Sequence, residues 1–283
     1  IASLQEHYNN VKVNKLHAIG NNGRLYYGHE GKIKFQLDGD AKPIMRFPHR
    51  KEDDLESCIV IYESPYKNEK QQVPHNMYLI CHDPYGQSQS ADSSSLGSAY
   101  VIKRVNNISQ PDDLIVASYV ARPHSQDEYN RNLFMLADYY NAKIGFENDR
   151  GDVIAYARRH RKLHRLQEEF EMLDKKDLRS RTVKRQYGMH MTEARKRQGE
   201  IYIRDWLNTQ RSTDENDNQI LNMHKIYDLA LLQELIKFNH DGNFDRAMSL
   251  MIGMYHTREL YNAEVKEILE DRSVDDWFDN NYY

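Results

Sequence analysis

The chain has 283 residues, with 39 Lys and Arg against 43 Asp and Glu for a formal net charge of -4, and a mean hydropathy of -0.87. No run is long and apolar enough for a membrane-spanning helix, and the first residues do not resemble a signal peptide, so a soluble protein with a polar surface is expected. The only cysteines, Cys58 and Cys81, have no zinc-type or paired spacing, which argues against a disulfide framework and for a reducing compartment. The length suits one well-buried domain with additions, or two small ones. The chain does not begin with Met, and a longer parent polypeptide is expected. Charge is uneven: basic residues outnumber acids between Arg158 and Arg204, whereas the last dozen residues are acidic and aromatic. A nucleic-acid partner therefore stays open despite the overall sign.

In chain order, residues 1–72 give few signals. Lys32–Leu37 and Cys58–Tyr62 read as strands, His17–Gly31 as a loop, and Gly20-Asn-Asn-Gly23 as turn chemistry. There is no GxxxxGK[ST] stretch to cradle nucleotide phosphates. His17, His29, His49 and His75 are scattered among polar residues and read as solvated or locally bonded.

Met77-Tyr-Leu-Ile-Cys-His-Asp83-Pro-Tyr-Gly86 is an apolar strand that delivers a carboxylate to its end and breaks at Pro84 and Gly86. An aspartate there can also be a turn residue bonding its own backbone. The serine-rich stretch Gln87–Ser95 reads as a connecting loop. Strand signals follow at Ser98–Lys103 and Leu114–Val120. A helix follows at Gln126–Tyr140, where Leu133, Phe134, Leu136, Ala137 and Tyr140 share a face. Lys143-Ile-Gly-Phe-Glu147-Asn-Asp149 repeats the strand-to-acid device. If the first three strands form an antiparallel meander, a right-handed crossover through the helix sets the fourth parallel beside the first. Asp83 and Glu147 then sit side by side at the carboxyl ends of neighbouring strands, where open α/β sheets place their sites.

Beyond Glu147 the pattern is helical over Asp152–Leu173, with Arg158, Arg159, Arg161, Lys162 and Arg165 projecting from it. Thr182–Tyr187 reads as a short strand. Met191–Asn208 reads as a helix with Ile201, Ile203, Trp206 and Leu207 inward and Arg195, Lys196 and Arg197 exposed. Thr209–Gln219 reads as a polar linker and Tyr227–Phe238 as an amphipathic helix. Asp245 then opens a helix apolar on almost all sides, which is expected to lie buried against the sheet. An N-cap explains such an aspartate. A third acid meeting Asp83 and Glu147 would instead make an oxygen-rich site for Mg2+ or Mn2+.

Tyr78–Gly86, Asp113–Pro123, Tyr139–Gly151, Tyr187–Leu207 and Asp241–Met254 together resemble the nuclease domain of the large terminase subunit of tailed bacteriophages, over residues 57 to 260. Tyr-Asn-Ala followed by the Glu-Asn strand end, and the Asp-Arg-Ala-Met helix start, carry most of the likeness. The resemblance implies an RNase H-like α/β fold, a mixed central sheet flanked by helices. It also implies a metal-dependent endonuclease that cuts concatemeric double-stranded viral DNA in the host cytoplasm. Its metal-binding acids fall on Asp83, Glu147 and Asp245, holding two Mg2+ or Mn2+ ions, with Asp241 a possible additional ligand. The implied partners are an ATPase domain of the same polypeptide, the portal protein and the small terminase subunit; a membrane is not among them.

The chain departs from the family in lacking a Walker motif and in separating Asp241 from Asp245 by Gly-Asn-Phe. Residues 1–56 are then expected as a linker after an absent motor domain, 57–270 as the nuclease, and 271–283 as an acidic tail. Arg195, Lys196 and Arg197 would hold DNA phosphates, and His82 and His240 lie beside the expected ligands as alternative proton carriers or packing residues. Another RNase H-like nuclease of resolvase or transposase type, and a non-catalytic DNA-binding or packaging module, are the competing readings.

Overall fold

The apolar residues of 78–83, 97–103 and 114–121 occupy both faces of their strands, which requires a packed layer on each side of the sheet. A computed structural model, describing residues 1–29, 31–86, 95–104, 113–149, 152–169, 187–239 and 242–258, has this arrangement. Seven strands form one sheet: β1 (Asn21–Tyr27), β2 (Ile33–Leu37), β3 (Ile59–Ile61), β4 (Tyr78–Asp83), β5 (Gly97–Lys103), β6 (Leu114–Ala121) and β7 (Lys143–Phe146), in the order β2-β1-β3-β6-β5-β4-β7. β4, β5 and β6 form an antiparallel meander. Helix α2 (Gln126–Tyr139) then carries the chain back so that β7 pairs parallel with β4, with His82 opposite Phe146. The chain is thus an α/β protein with a mixed central sheet. Among the described residues no helix is long and apolar enough to cross a membrane.

The period-two alternation of the strands divides the interior into two layers. Ile80, Ala99, Val101, Ile144 and Phe146 pack with Leu133 and Phe134 of α2 on one face. Cys81, Tyr100 and Ile102 pack on the other with Leu250, Met251 and Met254 of a helix, α6 below, described over residues 245–258. That second face also carries α1 (Ala2–Val13), α4 (Glu193–Asn208) and α5 (Leu229–Lys237), while α3 (Val153–Arg159) adds to the first. Ser249 Oγ donates to the Cys81 carbonyl at 2.8 Å. Gly253 lies so close that an added Cβ would stand 2.8 Å from Cys81. The sides of α6 are buried against the sheet, as its apolar pattern requires.

Several segments differ from their sequence pattern. Residues 1–56, expected as a linker, carry α1, β1 and β2, and β1 pairs with β3 and so extends the sheet. Asn21-Asn-Gly23 is strand and not turn, because Gly23 lets Gln36 and Phe35 of β2 approach; a Cβ there would meet the Gln36 carbonyl oxygen at 2.1 Å. The Asp152–Leu173 helix stops at Arg159. The Lys162 N–H bonds the Ala157 carbonyl and the Arg161 N–H the Arg158 carbonyl, with Arg161 at φ 57, which is a Schellman closure. A 3-10 turn over Leu163–Arg165 follows, and Leu166 then bridges to Ile144. Thr209–Gln219, expected as a linker, holds the hairpin β8 (Gln210–Thr213) and β9 (Gln219–Leu221), whose turn Asp214 organises by accepting the Asn216 and Asn218 N–H groups. Ile201 is 40% exposed on α4, and Gly199 takes the inward position instead. The Gln87–Ser95 loop but for Ser95, the Thr182–Tyr187 strand but for Tyr187, and the tail 271–283 lie outside the described residues.

Gly145 passes directly under α6, where an added Cβ would lie 2.3 Å from the His256 ring. Gly145→Ala is therefore expected to destabilise the chain by about 1–3 kcal/mol, read as a lower urea midpoint. An unchanged midpoint would show that α6 does not seat on β7.

Candidate active site

Because β4 alternates, Ile80 and His82 face α2 while Cys81 and Asp83 share the opposite face. On β7, Ile144 and Phe146 face α2, Gly145 faces His256 of α6, and Glu147 continues the Gly145 side. The Glu147 N–H bonds the His82 carbonyl at 3.4 Å, so the two acids end adjacent parallel strands in register. Asp83 is buried at 8% exposure and Glu147 half-buried. Ser98 stands opposite Asp83 on β5.

Asp245 opens α6 at the same end of the sheet. It does not cap its own helix. Its carboxylate accepts from Ser95 Oγ at 2.9 Å, the Leu96 N–H at 2.8 Å and Asn243 Nδ2 at 3.2 Å, which ties α6 to the entry of β5. Burial raises its pKa, opposed by these donors and by Arg246. The phenol of Tyr129 on α2 is raised well above its ordinary value chiefly by burial, with Tyr119, Tyr85, Asp83 and Asp245 adding to the rise. Among the described residues, however, no three His, Cys, Asp or Glu side chains stand close enough to hold a metal ion together. Asp245 is turned to β5, and Asp241 and His240 lie outside the described residues. Asp83 and Glu147 are the pair the fold brings side by side.

The cap of α6 comes from Glu234 of α5, whose carboxylate accepts the Arg246 N–H at 2.8 Å and the Ala247 N–H at 3.1 Å. It also takes Arg246 Nη1 at 3.0 Å, with both side chains buried. Burial pushes Glu234 up to about 7, against the pull of Arg246. Burial would lower the pKa of Arg246, but Glu234 and Asp228 beside it raise it. Sequence reasoning missed this pair; its signal was a lone acid within Leu229–Leu235 and a lone cation within 244–252.

The basic helix start lies beside the Glu147 turn. The Asn148 N–H bonds the Met189 carbonyl at 3.0 Å, His190 pairs with Asp149, and Thr192 caps α4. Arg195, expected exposed, is half-buried: its Nη1 donates to the His190 carbonyl at 2.6 Å, and it faces Glu169 at 3.8 Å. Lys196 is half-buried beside Glu193, and Arg197 is exposed. In the other expected stripe Arg158 and Arg161 are exposed, while the remaining three members meet acids. Arg159 meets Asp127 and Asp152, while Lys162 and Arg165 share Asp138.

No family model matches the chain, and no curated protein matches it.

His82 is a packing residue. Its Nδ1 donates to the Ser98 carbonyl at 2.9 Å, its ring stacks on Tyr129, and burial lowers its pKa to about 4. Burial lowers His256 likewise to about 4. Both are neutral in the fold, whereas the unfolded chain protonates them near 6.5. Their contribution is therefore present above pH 6.5 and lost as pH falls toward 4, on the order of 3 kcal/mol each. Urea midpoints are expected to drop across that window, with a shallower drop in His256→Gln. Equal slopes in the two proteins would contradict the assignment.

Proposed function

We propose that the chain is a divalent-metal-dependent endodeoxyribonuclease of RNase H-like type, the nuclease part of a viral genome-packaging terminase large subunit. The observation that carries this reading is the side-by-side placement of Asp83 and Glu147 at the ends of parallel neighbours β4 and β7, on the face covered by α6. The β6-β5-β4-β7 order supports it, since a meander followed by a parallel fourth strand is what the resemblance implies.

The donors fit the ion. Asp83 and Glu147 offer carboxylate oxygens only, and Mg2+ is commonly held by one or two carboxylates with its remaining positions filled by water and substrate phosphate. Bound there, an ion would supply an acidified water and offset charge on the phosphoryl oxygens. The chain's own part is to position the two carboxylates through the β4–β7 register. Asp245 holds the entry of β5 beside them. Lys196 and Arg197, at the start of α4 next to the Glu147 turn, attract the DNA backbone without reading sequence. His82 faces α2, with its Nδ1 bonded to the Ser98 carbonyl and its ring stacked on Tyr129, and is assigned a packing role.

A second reading, a DNA-binding module without catalysis, draws on the turning of Asp245 toward Ser95 and Leu96. It predicts DNA binding with no metal-dependent cutting.

Nicking of supercoiled plasmid with Mn2+, Mg2+ or EDTA separates the two. The proposal expects metal-dependent nicking that falls at least about 100-fold in Asp83→Asn and in Glu147→Gln, with thermal midpoints retained. Nicking that survives both substitutions would sink it. Replacing Lys196 and Arg197 with Ala is expected to weaken duplex binding and to reduce the slope of log affinity against log salt by about 1–2; an unchanged slope would remove these residues from the DNA contact.

A further inference from the structure

The sheet end opposite Asp83 and Glu147 holds a separate cavity of about 260 Å³. The starts of β4 and β7 and the end of β5 converge there. Its walls include Arg104, Lys143, Arg165, His75 and His164, and among the described residues no Asp or Glu lines it. The length of β4 sets it about 16 Å from the two acids.

The two arginines are held in place by the groups around them. Arg104 is 5% exposed, and its Nη1 donates to the Asn76 carbonyl at 3.2 Å. Arg165 is fixed by Asp138 at 2.8 Å and by the Asn141 side-chain oxygen at 2.8 Å. Asn141, at φ 49, closes α2 in a Schellman turn, and its Nδ2 donates to the Val73 carbonyl at 2.9 Å, joining the two sides of the cavity. Asp138 serves Lys162 as well as Arg165, so one carboxylate faces two cations. Lys143 and His164 stand exposed at the rim. A recess with fixed guanidinium groups, an exposed ammonium at its rim and, among the described residues, no acid in its wall suits a tetrahedral oxyanion.

We propose that this cavity binds a phosphate group, supplied either by a small phosphorylated ligand or by the backbone of bound DNA. The site is independent of the nuclease reading, because none of its residues belongs to the carboxylate edge.

The test is calorimetric titration of the chain with inorganic pyrophosphate in metal-free buffer, and anisotropy titration with a short DNA duplex at several salt concentrations. Lys143→Glu and His164→Glu are compared with the unmodified protein, with Lys143→Gln as a milder change if either acid variant loses its thermal midpoint. The expected result is pyrophosphate binding that weakens about tenfold or more in Lys143→Glu, the effect of one charge-assisted contact. Duplex binding that weakens in parallel, with a shallower salt slope, assigns the phosphate to the DNA backbone; weakening for pyrophosphate alone assigns it to a small ligand. No pyrophosphate binding by the unmodified chain, or equal affinity in all variants, overturns the proposal.

Discussion

β4 and β7 run parallel, and a parallel pair cannot be closed by a tight turn: the chain must cross the sheet between them. Here the crossover is α2, and its apolar face has to lie on the layer of Ile80, Ala99 and Val101 for the return to register. That register sets His82 against Phe146 and hence Asp83 beside Glu147. A slip of one residue would turn one acid toward α2 and the other toward α6. The carboxylate pair therefore depends on the packing of a helix on the other face of the sheet. His82 shows the same constraint from the other side, since the residue before Asp83 is delivered into the aromatic stack with Tyr129.

The opposite face depends on α6, and α6 depends on charge buried where its pattern is most apolar. Glu234 supplies the acceptor for the first N–H groups of α6 and neutralises Arg246 in one stroke. Isolated buried charges cost several kcal/mol, so either partner alone would be strongly destabilising. As a pair they specify where α5 meets α6, and this fixes how far along the sheet Asp245 can reach. Asp245 then spends its own hydrogen bonds on Ser95 and Leu96. The third carboxylate at this edge is thus a clamp on β5 in the described structure, while the first two remain adjacent.

The meander, its crossover helix and the parallel return were legible in the sequence because β4, β5, β6 and β7 are dense in buried β-formers and are separated by clear breaks. The position of Asp83 and Glu147 followed from topology alone. Other parts had no such signal. β1 begins Asn-Asn-Gly, which reads as a turn, and becomes strand only because Gly23 lets β2 close over it. β8 is polar on both faces and β9 is only three residues long, so no alternation marks them. The end of α3 rests on Arg161 in a left-handed conformation that glycine usually takes. Arg158 to Arg165 read as a free basic stripe, yet most of these side chains meet acids from α2 or from the start of α3, contacts between segments that lie apart in the chain. The Glu234–Arg246 pair, also between separate segments, was not anticipated for the same reason.

The central claim is that the strand-tip pair binds a divalent ion, and the most direct measurement is an anomalous difference map from a crystal of the chain soaked in Mn2+. The account predicts a peak at about 2.0–2.3 Å from carboxylate oxygens of both Asp83 and Glu147, absent from crystals of Asp83→Asn. A map with Mn2+ bound elsewhere and none at these two residues would contradict it.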